Sequence, residues 1–182
     1  MFKLSQRLTA LLLSSLMFLP AALAQSSNSS AGSGKPSPGL AAADAKFMKE
    51  AAGGGMAEVQ LGKLAQEKSS SDQVKQFGQR MVDDHSKANQ QLEQMAQQKN
   101  VRLPKQPGAR EQAEKARLEK LSGDEFDKAY MSHMVADHKK DVAEFQKESS
   151  AARDPEIKSF ASQTLPTLQE HLKQAQSIAP AQ

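Results

Sequence analysis

Hydrophobic and polar positions follow a helical period along most of the chain, and nowhere more regularly than in DQVKQFGQRMVDDHSKANQQLEQMAQQK, from Asp72 to Lys99. Val74, Gly78, Met81, His85, Ala88, Leu92 and Met95 recur four and three residues apart, and Phe77, Val82 and Ala96 widen the stripe. That is the pattern of an amphipathic helix with one face turned inward. A histidine sits in the middle of the apolar seam. Burying an imidazole there costs on the order of 2 kcal/mol unless a partner inside the fold hydrogen-bonds or ligates it.

Three more long helices are predicted around this one. The first runs from about Asp44, read as its N-cap, to Ser69, with Phe47, Ala51, Gly54, Glu58, Leu61 and Ala65 inward. Gly53, Gly54 and Gly55 interrupt it, and each glycine in a helix interior costs about 1 kcal/mol relative to alanine. Either they break or bend the helix before Met56, or they let another backbone or a ligand come close beside Glu58. Ser69 to Ser71 form a short turn, with Asp72 read as the cap of the second helix, so the two helices lie antiparallel. Residues 100–123 contain Pro104, Pro107 and Gly108 and then a short charged helix, EQAEKARLEKL. At roughly 1.5 Å per helical and 3.3 Å per extended residue, this segment is long enough to traverse a bundle from end to end.

The next helix follows Ser122-Gly123-Asp124 and turns Phe126, Tyr130, Met134, His138, Val142 and Phe145 inward. The last begins at Asp154-Pro155, a cap followed by proline at the first helical position. It carries Ile157, Phe160, Ala161, Thr164, Leu165, Leu168, either His171 or Leu172, and Ala175, with Pro166 predicting a kink. VKQFGQRMV before one histidine is weakly echoed by IKSFASQTL before another, in matching order. The expected fold is therefore all-α: a four-helix bundle over residues 44–178, made of two helix hairpins joined by a long crossover containing a short helix.

Upstream of the bundle the pattern changes. Lys3 and Arg7 precede an apolar run from Leu8 to Leu23, and Ala22-Leu23-Ala24 offers a small-residue cleavage site, so residues 1–24 read as a secretory signal peptide. The run is too short, and too interrupted by Ser14, Ser15 and Pro20, to read as a membrane anchor. Residues 25–43, rich in Ser, Gly and Pro, read as a flexible linker. No later stretch is apolar enough to span a bilayer, so the mature chain is expected to have no transmembrane segment and to be periplasmic.

Removing the signal takes away Lys3 and Arg7 and no acidic residue, so the formal net charge falls from +3 to +1. Lysine and arginine then alternate with acidic residues instead of forming a basic stripe, and aromatic residues are few, so nucleic-acid binding is not expected. The chain has no cysteine. Disulfides, thiolate chemistry and lipid attachment through cysteine are all excluded, and stability must come from packing.

Each long helix now carries one ligand-capable side chain on or beside its inner stripe: Glu58, His85, His138 and His171. Counted from the predicted helix ends, all four fall near mid-height, within about 8 Å along the axis. Such donors suit one transition metal ion of unknown identity, with Asp84, Asp137 and Asp141 placed to orient the rings by hydrogen bonding. The competing reading is a metal-free polar cluster in which Glu58 accepts from the histidines. His133 is an alternate for His138, and Met81, Met131 and Met134 read as core filler near the site.

AAGGGMAEVQLGKLA, VKQFGQRMVDDHSKAN, FDKAYMSHMVADH and LPTLQEHL together resemble the bacterial envelope family called domain of unknown function 4142, sometimes labelled an outer-membrane protein. The resemblance covers about Ala43 to Gln176. It implies a ferritin-like four-helix fold and an envelope location, possession of no established activity, and matching positions at Glu58, Asp84, His85, Asp137, His138 and His171 without assigned roles. Ferritin-like di-iron enzymes place glutamate three residues before histidine, whereas Val82, Val135 and Leu168 stand there in this chain. An oxygen-activating di-iron centre is thus not expected.

The function these observations predict is that of an exported, non-catalytic bundle in envelope maintenance or stress, binding one metal in its core. Two alternatives stand beside it: a histidine-rich mononuclear metalloenzyme using the same residues, and a metal-free interaction module. In the last, the crossover helix Glu111 to Leu121 recruits an envelope protein partner.

Overall fold

A computed structural model describes residues 39–179. The expected signal peptide and all but the end of the expected linker lie outside the described residues. Five helices follow in order: α1 (Ala42–Lys68), α2 (Asp72–Gln98), α3 (Ala109–Leu118), α4 (Gly123–Ala151) and α5 (Pro155–Ile178). The most extensive packing joins α1 to α2 and α4 to α5, while α1 also meets α4 and α2 meets α5. These are the two hairpins of a four-helix bundle, with α3 in the crossover.

Contacts at the bundle ends give the helix directions. Ser70, in the α1–α2 turn, donates its hydroxyl to Asp124 and Asp127 at the start of α4, at 2.8 and 3.0 Å. At the other end, Lys99 after α2 pairs with Asp154 and Glu156 at the start of α5, at 2.7 and 2.6 Å. The crossover therefore runs the length of the bundle, and α4 is antiparallel to α1 as α5 is to α2. Asn100 adopts φ 53°, a left-handed conformation that asparagine tolerates, and so turns the chain out of α2 into the crossover. On α3, Leu118 is fully buried, and Glu114 lies 3.6 Å from His133 Nδ1 of α4. His133 thus faces the crossover helix.

Three helix starts differ from the sequence expectation, α4 beginning already at Gly123 with Ser122 before it. The residue before α1 is Ala41, and Asp44 lies inside the first turn. Its carboxylate is 1 % exposed and reaches the α4–α5 turn, where it accepts from the backbone N–H groups of Arg153 (3.1 Å) and Asp154 (2.7 Å). A capping residue and a residue capping someone else's turn have the same composition signal, and only the fold separates them. For α2 the cap is Ser71, whose hydroxyl accepts from Val74 N, one residue before the expected Asp72. Asp154 does cap α5, accepting from Glu156 N and Ile157 N. Because Asp44→Ala leaves two turn N–H groups without their acceptor, it is expected to lower stability by about 2 kcal/mol. Urea unfolding of the purified variant measures this, and Asp44→Asn should recover part of the loss.

The glycine run does not break α1, which is continuous across it. A Cβ on Gly55 would collide with the side chain of Asn89, and one on Gly53 would touch the ring of Pro104 at 3.8 Å. Close approach is therefore the explanation for Gly55, while the contact at Gly53 is an ordinary one. Gly62 and Gly78 make the tightest crossing of α1 and α2: a Cβ on Gly78 would lie 2.8 Å from both Gly62 O and Ala65 Cβ, and one on Gly62 would collide with Gly78 O. The α5 helix continues through Pro166.

Two apolar clusters fill the interior. One gathers Phe47, Met48, Leu92, Phe145, Ile157 and Phe160 toward the α2–crossover end, and the other gathers Leu61, Phe77, Met81, Tyr130, Met134 and Ala175 toward the Ser70 end. Glu58, His85, His138 and His171 are the residues between them on the four long helices. A polar layer thus separates two dry ones. Met81, Met131 and Met134 belong to the second apolar cluster. Among the described residues, no helix is long and apolar enough to cross a membrane.

Candidate metal centre

Each histidine reaches the interior through its helix period. His85 follows Met81 by four residues and His138 follows Met134 by four, while His171 follows Leu168 by three, so each ring continues an apolar stripe. The rings meet at mid-bundle. Their centroids are 5.8 Å apart for His85 and His138, 5.5 Å for His85 and His171, and 5.3 Å for His138 and His171. One nitrogen from each ring lies within 4.8 Å of one nitrogen from each of the others. His138 and His171 are wholly buried, and His85 is 7 % exposed. The phase left open at α5 resolves to His171, with Leu172 half-buried.

Hydrogen bonding orients two of the rings. His138 Nδ1 lies 3.0 Å from Met134 O, and a carbonyl can only accept, so Nδ1 carries the proton and Nε2 the lone pair. His171 Nε2 lies 2.8 Å from Asp84 Oδ2, so by the same reasoning Nδ1 carries the lone pair. Asp84 is itself held by Arg80 Nε at 3.3 Å, and Arg80 also donates to Gln174 on α5 at 3.0 Å. The nitrogens these bonds leave over, His138 Nε2 and His171 Nδ1, are buried without any hydrogen-bond partner, and so is His85 Nε2. Three neighbouring rings that each keep one buried nitrogen without a partner are what a metal ion would satisfy.

Burial also holds the rings neutral. His85 titrates well below the usual histidine range, first because it is buried and then because His138 and His171 stand beside it. His138 is lowered to about 4 by the same causes, burial and then His171. His171 is lowered by burial, with Asp84 opposing. A neutral imidazole with a free lone pair is the ligating form.

Glu58 stands beside this triad. Its Oε1 lies 3.9 Å from His138 Nδ1, yet its oxygens group with those of Asp137 and Asp141, each within 4.8 Å of the others. Of the three aspartates expected to orient rings, Asp84 does so, while Asp137 and Asp141 face Glu58. Burial, then the charges of Asp137 and Asp141 and a carboxyl contact with Asp137, push Glu58 well above the usual carboxylate range. Asp141 is raised to about 7 by burial and then by Asp137.

A cleft of about 820 Å³ opens onto this layer from the side of the glycine run. It is bordered by Gly53, Gly54, Gly55, His85, Asn89, Asp137 and Asp141, but not by Glu58, His138 or His171. Solvent therefore reaches the edge of the triad through one ring. Asn89 and Tyr130 were not legible as site residues, although Asn89 Oδ1 and the Tyr130 hydroxyl are also buried without partners. Asn89 follows His85 by one turn, which was the available signal. Tyr130 reads from sequence as apolar filler, and burial and then Glu58 raise it well above the usual phenol range.

A crystal structure of a DUF305 fragment from Deinococcus radiodurans shares the fold, with a TM-score of 0.68 over 78 % of this chain and 97 % of that one, at 18 % identity. No curated protein gives a significant match. The match to the family described as "Domain of unknown function (DUF4142)" runs over residues 29–178, most of the chain, and the chain therefore belongs to that family.

Proposed function

We propose that this protein is a metal-binding helical bundle whose core triad, His85, His138 and His171, holds one transition metal ion. The observation that carries the reading is three buried rings that each bring one nitrogen within 4.8 Å of the others, and that each hold one buried nitrogen without a hydrogen-bond partner. A polar cluster built only for itself would pair its donors with its acceptors, and here two rings donate to Met134 O and Asp84, leaving the lone pair of each without a donor. Three nitrogen donors suit zinc, copper, cobalt or nickel and leave coordination positions for water. The amino-terminal signal pattern supports export, with the periplasm as the working compartment.

Metal content of protein purified without an affinity tag or chelator is the direct test. Binding also stabilises the fold by mass action: Zn2+, Co2+ or Cu2+ at one hundred times its dissociation constant adds about 2.7 kcal/mol. For a chain of this size that raises Tm by about 5–10 °C. A chelator should reverse the shift. Purified protein without metal, whose Tm does not respond to any of the three ions, would sink the proposal.

One observation favours a catalytic version of the same site. The cleft reaches His85, so an ion with an open position would meet solvent there, as an ion that activates water requires. Hydrolysis of an activated ester by the loaded protein, lost in His85→Ala, would support that version, and an inert loaded protein would leave binding alone.

A further inference from the structure

The carboxylates grouped beside the histidine triad form a second arrangement with different chemistry. Asp137 and Asp141 are one turn apart on α4, and Glu58 comes across from α1 to bring all three within 4.8 Å. Like charges one turn apart on a helix repel, and a third carboxylate buried against them adds to the repulsion. Glu58 supplies the independent sign that something belongs there. It is 1 % exposed, and no N–H or hydroxyl group donates to either of its oxygens, whose polar contact is with the carboxyl of Asp137. The nearest ring proton, on His138 Nδ1, is directed to Met134 O instead. A buried carboxyl ordinarily pairs with donors from elsewhere in the fold, and Glu58 is set against two other acids instead.

We infer that Glu58, Asp137 and Asp141 bind a hard divalent cation of the manganese, magnesium or calcium class, separate from the ion of the histidine triad. The donors are all anionic oxygens, the set that such ions select over the softer metals that imidazole prefers. Hydrated ions have a route in, because Asp137 and Asp141 border the cleft. Gly54, on the same border and one turn from Glu58, has nothing within 4 Å of where its Cβ would be. Water from the cleft completes the coordination that three carboxylates begin. His138 separates the two sites, its Nδ1 3.9 Å from Glu58 Oε1 and its Nε2 left for the triad.

Mn2+ is the probe, because its paramagnetism reports both stoichiometry and ligand type. Chelator-stripped full-length protein titrated with Mn2+ and followed by electron paramagnetic resonance should bind one ion per chain, with no nitrogen coupling in the pulsed spectrum. Mg2+ or Ca2+ should displace it. Asp141→Asn should weaken Mn2+ binding at least tenfold, whereas His85→Ala should retain it while losing Zn2+. Circular dichroism checks that each variant is folded, and Asp137→Asn stands in if Asp141→Asn is not. The inference is overturned if folded wild-type protein binds no Mn2+ at millimolar concentration, which would mean the carboxyls share protons instead. It is equally overturned if the bound ion shows nitrogen coupling, or if both aspartate variants bind like wild type.

Discussion

Replacing His138 by alanine is expected to weaken binding of Zn2+ or Cu2+ at least ~100-fold, about 2.7 kcal/mol, because it removes one of three nitrogen donors from a site with few alternatives. His138 is wholly buried, with the other two rings at 5.3 and 5.8 Å. Asp84→Asn should give a smaller loss, about 10–100-fold, since it leaves every donor but loosens the hydrogen bond that turns His171 Nδ1 inward. Competitive titration against a chromophoric chelator separates the two. The apo protein's stability will not, because the alanine variant trades a cavity for an unpartnered nitrogen.

The pH dependence follows from the same burial. His138 titrates at about 4 instead of 6.5, and His85 and His171 are lowered as well. Protons therefore compete weakly, and metal affinity should hold as pH falls through 6.5 and collapse only on approaching about 4. For folding the sign is also fixed. Between about 4 and 6.5 the unfolded chain protonates histidines that the folded apo protein keeps neutral, so the triad's contribution to stability declines as pH falls through that window. Asp141 and Glu58 act oppositely. Their raised carboxyls hold protons in the folded state, so for Asp141 the contribution declines as pH rises from 3.8 to about 7.

Gly62→Val should destabilise the bundle by more than about 3 kcal/mol, enough to consume a large part of a typical domain's stability. Its Cβ would strike Gly78 O, lie 3.0 Å from Val82 Cγ2 and 3.2 Å from Met81 Cβ, and the first of these is backbone that no rotamer change can move. The helices must separate instead. Met81 is one turn from His85, and Gly62 is one turn from Glu58, so the separation should also lower metal affinity. Gly54→Ala on the same helix meets nothing within 4 Å, and there the gain in helix propensity should stabilise by about 0.5–1 kcal/mol. Urea unfolding of the two variants thus has opposite expected signs, and equal effects would contradict the close crossing.

Much of the site was readable because helical geometry converts spacing into place. The interval from Met81 to His85 and from Met134 to His138 put each imidazole on an inner stripe, and a crossover long enough to span the bundle brought His85 and His138 to the same height. Phase was legible wherever the apolar period was strong. Near Pro166 it was ambiguous, and His171 could not be told from Leu172 until α4 and α2 supplied the other walls. Boundaries were less legible. Asp44 and Asp72 both look like caps, but Asp44 is drawn to the α4–α5 turn, and Ser71 is closer to the N–H groups of α2.

By itself the amino-acid sequence determined four amphipathic helices, their pairing into hairpins, and the four polar residues that interrupt the apolar stripes, because all of these are periodicities along one chain. Tertiary structure alone decided what each polar atom faces. Glu58 is set against Asp137 and Asp141, Asp84 against His171, and the three imidazoles beside one another, through contacts between residues as many as 87 positions apart. Side-chain direction across a helix interface depends on which neighbour occupies the space opposite, and that information belongs to the packed bundle, not to any single helix.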